Sequence, residues 1–165
     1  MESILAELDR GTSLGIGTIV LRLLGAIAFS GLIGFEREAR NRPAGLRTHM
    51  LVGLAAASYC LIMLELLERP LGESQDLALD PLRLLEAVTS GVAFLAAGMI
   101  VFSSGKVHGL TTGASLWLAA ALGLGAGFGF WVLSAVATIL ALIIIRLIKL
   151  AEDAAKQHED DDTYH

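Results

Sequence analysis

A short, charged connection between two apolar runs constrains this chain more than any other feature. Between Gly34 and His49 the sequence leaves one apolar stretch through Gly34-Phe35-Glu36-Arg37-Glu38 and enters the next through Pro43-Ala44-Gly45-Leu46-Arg47-Thr48-His49. Four arginines (Arg37, Arg40, Arg42, Arg47) and two glutamates fill it, while the flanking segments are nearly free of charge. About 20 apolar residues suffice for a helix to cross the hydrocarbon core, so this connection reads as the loop of a membrane hairpin. Loops rich in arginine stay on the cytoplasmic side, which orients the hairpin.

The rest of the chain agrees. With 55% hydrophobic residues and a mean hydropathy of +0.67 over 165 residues, it has too little charge to cover a soluble domain. The expected fold is all-α and polytopic, with about five transmembrane helices near 14–35, 48–67, 84–102, 110–126 and 128–148. The last two need a turn near 125–129, because an unbroken helix over 110–149 would be about 60 Å long, roughly twice the hydrocarbon thickness. Asp80-Pro81 has the form of a helix start, carboxylate cap before a proline that needs no donor. With the 36–47 loop inside, eight Lys or Arg residues fall on the inner side and three on the outer. The N-terminus is therefore expected outside and the C-terminus inside. Residues 1–150 form the transmembrane domain, and 151–165 a short acidic cytoplasmic tail that frays into disorder after a helical turn or two. The first nine residues carry three acids and no Lys or Arg, the reverse of a signal peptide, so no cleaved signal is expected.

The formal charge of −5 misleads, since the charges sort by side. Nucleic acid is not an expected partner; membrane lipid is. Membrane helices associate through close backbone approach rather than through hydrophobic burial. Ala26, Ser30 and Gly34, then Ala93 and Ala97, then Ala119, Gly123 and Gly127 beside Ala121, Gly125 and Gly129, form packing stripes. These bring together helices of one chain or of two. Cys60 lies in an apolar run and reads as a small buried hydrophobe.

Arg22 is the one basic residue well inside a span, where a charge without compensation costs a few kcal/mol or more. Glu36 is about 21 Å away along the same helix, so Arg22 either reaches toward outer headgroups or pairs with Glu65 or Glu86. At the inner face Arg37, Arg40, Arg47 and His49 from one loop face Lys106, His108, Thr111 and Thr112 from another. That cationic set suits phospholipid headgroups, a phosphate-bearing ligand or an acidic partner, as well as a plain charge bias, and it repels Mg²⁺. The acids of the 68–83 connection lack metal-ligand spacing, and the four histidines form no metal motif. No cofactor is expected, and no nucleophile elbow, P-loop or dinucleotide fingerprint supports an enzyme.

The blocks Arg22-Leu23-Leu24-Gly25-Ala26, Gly31-Leu32-Ile33-Gly34-Phe35-Glu36-Arg37-Glu38 and Ala44-Gly45-Leu46-Arg47-Thr48-His49-Met50-Leu51-Val52 resemble the signature of the MgtC/SapB family. Asp80-Pro81-Leu82-Arg83, Ser90-Gly91-Val92-Ala93-Phe94-Leu95-Ala96-Ala97-Gly98 and Val107-His108-Gly109-Leu110-Thr111-Thr112-Gly113-Ala114-Ser115-Leu116-Trp117 continue the resemblance in order. It implies a multi-pass bacterial inner-membrane protein tied to growth when Mg²⁺ is scarce and, in pathogens, to survival inside host cells. It also implies regulation of other membrane proteins, the proton-translocating ATP synthase among them. The chain looks like a short form without the C-terminal ACT-like domain of longer members, and it departs from the family pattern at Glu86, Ala87, Ala93 and Ala96. Candidate functional residues are Arg22, Glu36, Arg37, Arg47, Thr48, His49, Arg83, Glu86, His108, Thr111 and Thr112. The expected mode of action is association, with itself as a dimer or with another inner-membrane protein, in Mg²⁺ limitation or envelope-stress homeostasis. The alternative is an ion or small-solute transporter whose oligomeric path is lined by Arg22, Glu65 or Glu86.

Overall fold

In the computed structural model, residues 12–68, 80–103 and 106–162 are described. Five helices follow one another as α1 (Ile16–Glu38), α2 (Leu46–Glu68), α3 (Pro81–Met99), α4 (Leu110–Phe128) and α5 (Trp131–Asp162). Helices α1 to α4 are each long and apolar enough to cross a membrane. The apolar part of α5 is Trp131–Leu147, at the short end of what spans a bilayer. The outer connection and the first eleven residues, with the signal-peptide expectation, lie outside the described residues.

Small residues decide the packing. On α2, Gly53 faces α1 on one side, where an added Cβ would lie 2.4 Å from Ser30 Oγ. On its other side it meets Gly123 of α4, whose added Cβ would lie 2.2 Å from the Gly53 carbonyl oxygen. Backbone thus meets backbone, the contact through which membrane helices gain dispersion energy. Gly127 repeats it one turn on, against Ala57 and Cys60. The Ala119, Gly123 and Gly127 stripe is therefore an intramolecular seam, and Ala121 stands exposed outside it. Helices α1, α2 and α4 form a closed trio. Helix α5 docks on α1 and α4, with Trp131 against Gly25 and 6.4 Å from the Phe29 ring centroid.

Helix α3 is the outlier. It rests mainly on α4, with a lighter contact to α2. In its central window 6% of residues are buried, against 67% in α4. Between α2 and α3 runs an apolar groove of about 470 Å³ lined by Val52, Ala56, Tyr59, Leu84, Val88 and Val92, among others.

Two boundaries follow the sequence expectation and two depart from it. Helix α3 starts at Pro81, as the Asp80-Pro81 signal predicts, with Asp80 Oδ1 accepting from Leu82 N at 2.9 Å. Replacing Asp80 by alanine should cost about 1 kcal/mol of stability, measured as a lower thermal midpoint in detergent. The third span stops at Met99 rather than 102, because Ile100 turns extended and Val101–Ser103 pairs antiparallel with Lys106–His108. Branched and aromatic residues there favour a pleated ribbon over another helical turn. The turn expected near 125–129 falls at Gly129, left-handed at φ +82°, where Phe130 N bonds back to Gly125 O at 2.7 Å. Helix α5 then continues to Asp162, so most of the segment expected to fray extends the helix.

Candidate functional site

The charged loop is a built turn. At the end of α1 the Arg37 carbonyl accepts from Arg40 N at 3.2 Å and from Arg42 N at 3.1 Å, while Asn41 takes a left-handed backbone at φ 52°. Asparagine tolerates that region better than most residues. The reversal brings Gly45 and Leu46 back against Glu38, whose carboxylate accepts from Leu46 N at 2.7 Å and so caps α2. Gly34 allows the first turn of α2 to seat on α1, since a Cβ there would lie 2.9 Å from Leu46 Cα and 2.8 Å from His49 Cβ.

Five polar side chains are buried at this end of the bundle: Glu36, Arg37, His49, Thr112 and Ser115, at 7%, 3%, 0%, 2% and 5% exposure. His49 Nδ1 is 2.8 Å from Gly45 O and Nε2 3.0 Å from Ser115 Oγ. A carbonyl can only accept, so Nδ1 carries the proton and Nε2 accepts from Ser115. Ser115 has one O–H, so Thr112 O at 2.8 Å competes with Nε2 for the same proton. Arg37 Nη2 reaches Thr112 Oγ1 at 3.4 Å. Glu36 pairs with Arg40, but neither of its oxygens accepts a hydrogen bond, and Arg37 Nε donates none. Among the described residues no three His, Cys, Asp or Glu side chains gather as metal ligands.

The structure brings together Glu36, Arg37, His49 and Thr112, and adds Glu38 and Ser115, which the sequence reading passed over. Ser115 follows Thr112 by three residues on one helical face, a spacing that marks it as a neighbour. Arg47 and His108 are exposed and Thr48 half-buried, apart from this network, while Thr111 is exposed next to Thr112 in the first turn of α4. Arg83 and Glu86 are exposed on α3.

At the opposite end Arg22 corrects the sequence expectation. Its partner is neither Glu65 nor Glu86 but a helix end, Nη1 donating to Gly127 O at 2.9 Å. The last carbonyls of a helix lack intrahelical donors and carry the negative end of its dipole. Glu65 accepts from Ser13 N and Leu14 N at 2.9 and 3.1 Å, holding the approach to α1. Arg22→Ala should lower stability by about 1–2 kcal/mol, and Arg22→Lys by less, as thermal midpoints in detergent will measure.

The family model described as the MgtC family matches residues 23–154, taking in this whole cluster. The chain belongs to the MgtC family. Protein MgtC of Brucella abortus is 39% identical over 77% of this chain and 50% of its own length. YhiD of Escherichia coli K12, named as a proposed magnesium transporter, is 34% identical over 78% of this chain and 59% of its own. Protein SrpB of Synechococcus elongatus is 35% identical over 84% and 77%. The chain spans a little over half the length of the first curated relatives it matches. No solved structure matches it significantly. As an MgtC-family chain with four membrane-capable helices, it is a multi-pass protein of the bacterial inner membrane.

Proposed function

We propose that this MgtC-family protein serves Mg²⁺ homeostasis and acts by association rather than by catalysis, with itself as a dimer or with another inner-membrane protein. The loop over 39–45 then faces the cytoplasm, and lipid surrounds the outer faces of α1, α2 and α5. The observation that carries this reading is the sealed trio. Between the polar ends of the trio and of α5 docked on it, the buried polar side chains among the described residues are the hydroxyls of Ser30 on α1 and Ser134 and Thr138 on α5, each within bonding distance of a carbonyl of its own or a neighbouring helix. A transport path ordinarily places polar groups near the midplane. Helix α3, by contrast, leaves most of its surface uncovered, including Ser90, Gly91, Phe94 and Gly98. Small residues on such a face admit close approach by another helix.

In a Cys60→Ser background, cysteine placed at Phe94 on α3 should crosslink in the membrane, either to itself or to a partner that mass spectrometry identifies. Cysteine at Ile139 on α5 should not. Equal crosslinking at both positions, or none at either, counts against association through α3.

A second reading, Mg²⁺ transport along an oligomeric path, draws on the name of YhiD. Vesicles containing the purified protein and a Mg²⁺-sensitive dye distinguish the two. Association predicts no flux above empty vesicles, and flux that Glu86→Gln abolishes would establish transport.

A further inference from the structure

The N-terminal end of α4 has neither a side-chain cap nor an acid. Helix α4 starts behind Gly109, whose left-handed backbone offers no capping side chain, and no acid stands in its first turn. The first N–H groups of a helix have no partner within it and hold the positive end of its dipole, where carboxylates or hydroxyl caps usually gather. The fold brings a cation instead. Arg37 enters from α1, 3% exposed, with Nη2 at 3.4 Å from Thr112 Oγ1 in this first turn and Nε bound to nothing.

The surroundings do not neutralise it. Arg40 and Arg42 act on Arg37 electrostatically alongside a single carboxylate, Glu36, which is paired with Arg40. Glu38 is engaged by Leu46 N. A buried guanidinium facing a positive helix end is repulsive unless an anion lies between them. Hydroxyls of Thr111 and Thr112, backbone N–H groups and a guanidinium fork are the donors that phosphate oxygens accept.

We propose that Arg37, Thr111, Thr112 and the first N–H groups of α4 form a phosphate-binding site, filled either by the headgroup of an anionic lipid or by a free phosphate. The site lies at the end of two membrane helices, within reach of both.

The test uses the full chain, stripped of lipid in dodecyl maltoside, titrated at constant ionic strength with inorganic phosphate and separately with phosphatidylglycerol. Diacylglycerol, which lacks the phosphate, is the control. Thermal unfolding should show a saturable rise of about 5 °C at a hundredfold excess over Kd. A rise with inorganic phosphate assigns the site to the free anion. A rise with phosphatidylglycerol alone assigns it to the headgroup. Arg37→Gln should weaken the apparent affinity about tenfold or more. Should that variant not fold, Thr111→Asp decides: the exposed carboxylate should raise the midpoint without anion and abolish the rise with it. No saturable rise in either series, a rise matched by diacylglycerol, or one that a folded variant leaves unchanged overturns the proposal.

Discussion

Alanine at Gly123 is expected to leave little folded protein. The new methyl group would sit 2.2 Å from the carbonyl oxygen of Gly53 and 2.8 Å from its Cα. These are backbone atoms, and no rotamer change moves them away. Helices α2 and α4 would have to separate, loosening Gly127 against Cys60 and Ala57 on the same seam. Overpacking of a tight core costs about 1–3 kcal/mol, and more where nothing can give; we expect about 3 kcal/mol or more. The thermal midpoint and the monodisperse fraction on size-exclusion chromatography in detergent will measure it. Gly17→Ala is the control, since nothing lies within 4 Å of its added Cβ. It should leave stability unchanged or raise it by about 0.5–1 kcal/mol through a better helix former. Equal behaviour of the two variants would show that the close approach of α2 and α4 is not what holds the trio.

The second large effect is expected at His49. Alanine there removes a fully buried ring and with it the links to Gly45 O and Ser115 Oγ. The cavity and the lost bonds together should cost about 3–4 kcal/mol. Ser115→Ala should cost only about 1 kcal/mol, because the Gly45 link survives and the Thr112 carbonyl is already the acceptor of a helix. The double variant should cost less than the sum of the two, since the ring and the hydroxyl share one bond. Denaturation midpoints of the four proteins give the coupling. Strict additivity would mean that the two side chains do not interact.

Much of this was legible in the residues. Apolar runs of about 20 and the arginine-bearing loop mark the helices to within a few residues, except at the C-terminal end of α5, because hydropathy and backbone satisfaction leave a membrane chain little choice. Asp80-Pro81 marks the start of α3 because cap and proline act locally. Where the reading went astray, the deciding interaction was distant in sequence or made with backbone. For Arg22 the sequence offers outer headgroups or the carboxylates of Glu65 and Glu86, yet its acceptor is the carbonyl of Gly127, 105 residues on, which no side-chain pattern announces. His49 and Thr112 were visible as polar residues at one end of the bundle, but Ser115 looked like part of an apolar helix until α2 and α4 were packed together. The ribbon after Met99 was missed because three-residue strands carry almost no periodic signal.

The two arginines of α1 have a joint consequence. Arg22 meets α4 at Gly127 and Arg37 meets it at Thr112, and fifteen residues separate the members of each pair. The antiparallel helices therefore carry matching rungs about 22 Å apart. Sliding α1 along α4 by a single turn breaks both rungs at once, so two hydrogen bonds hold the register of α1 on α4. In a bilayer that is too thin or too thick, shear between α1 and α4 would cost both bonds. Mismatch is then expected to fall on α3 and α5, the helices packed outside the trio.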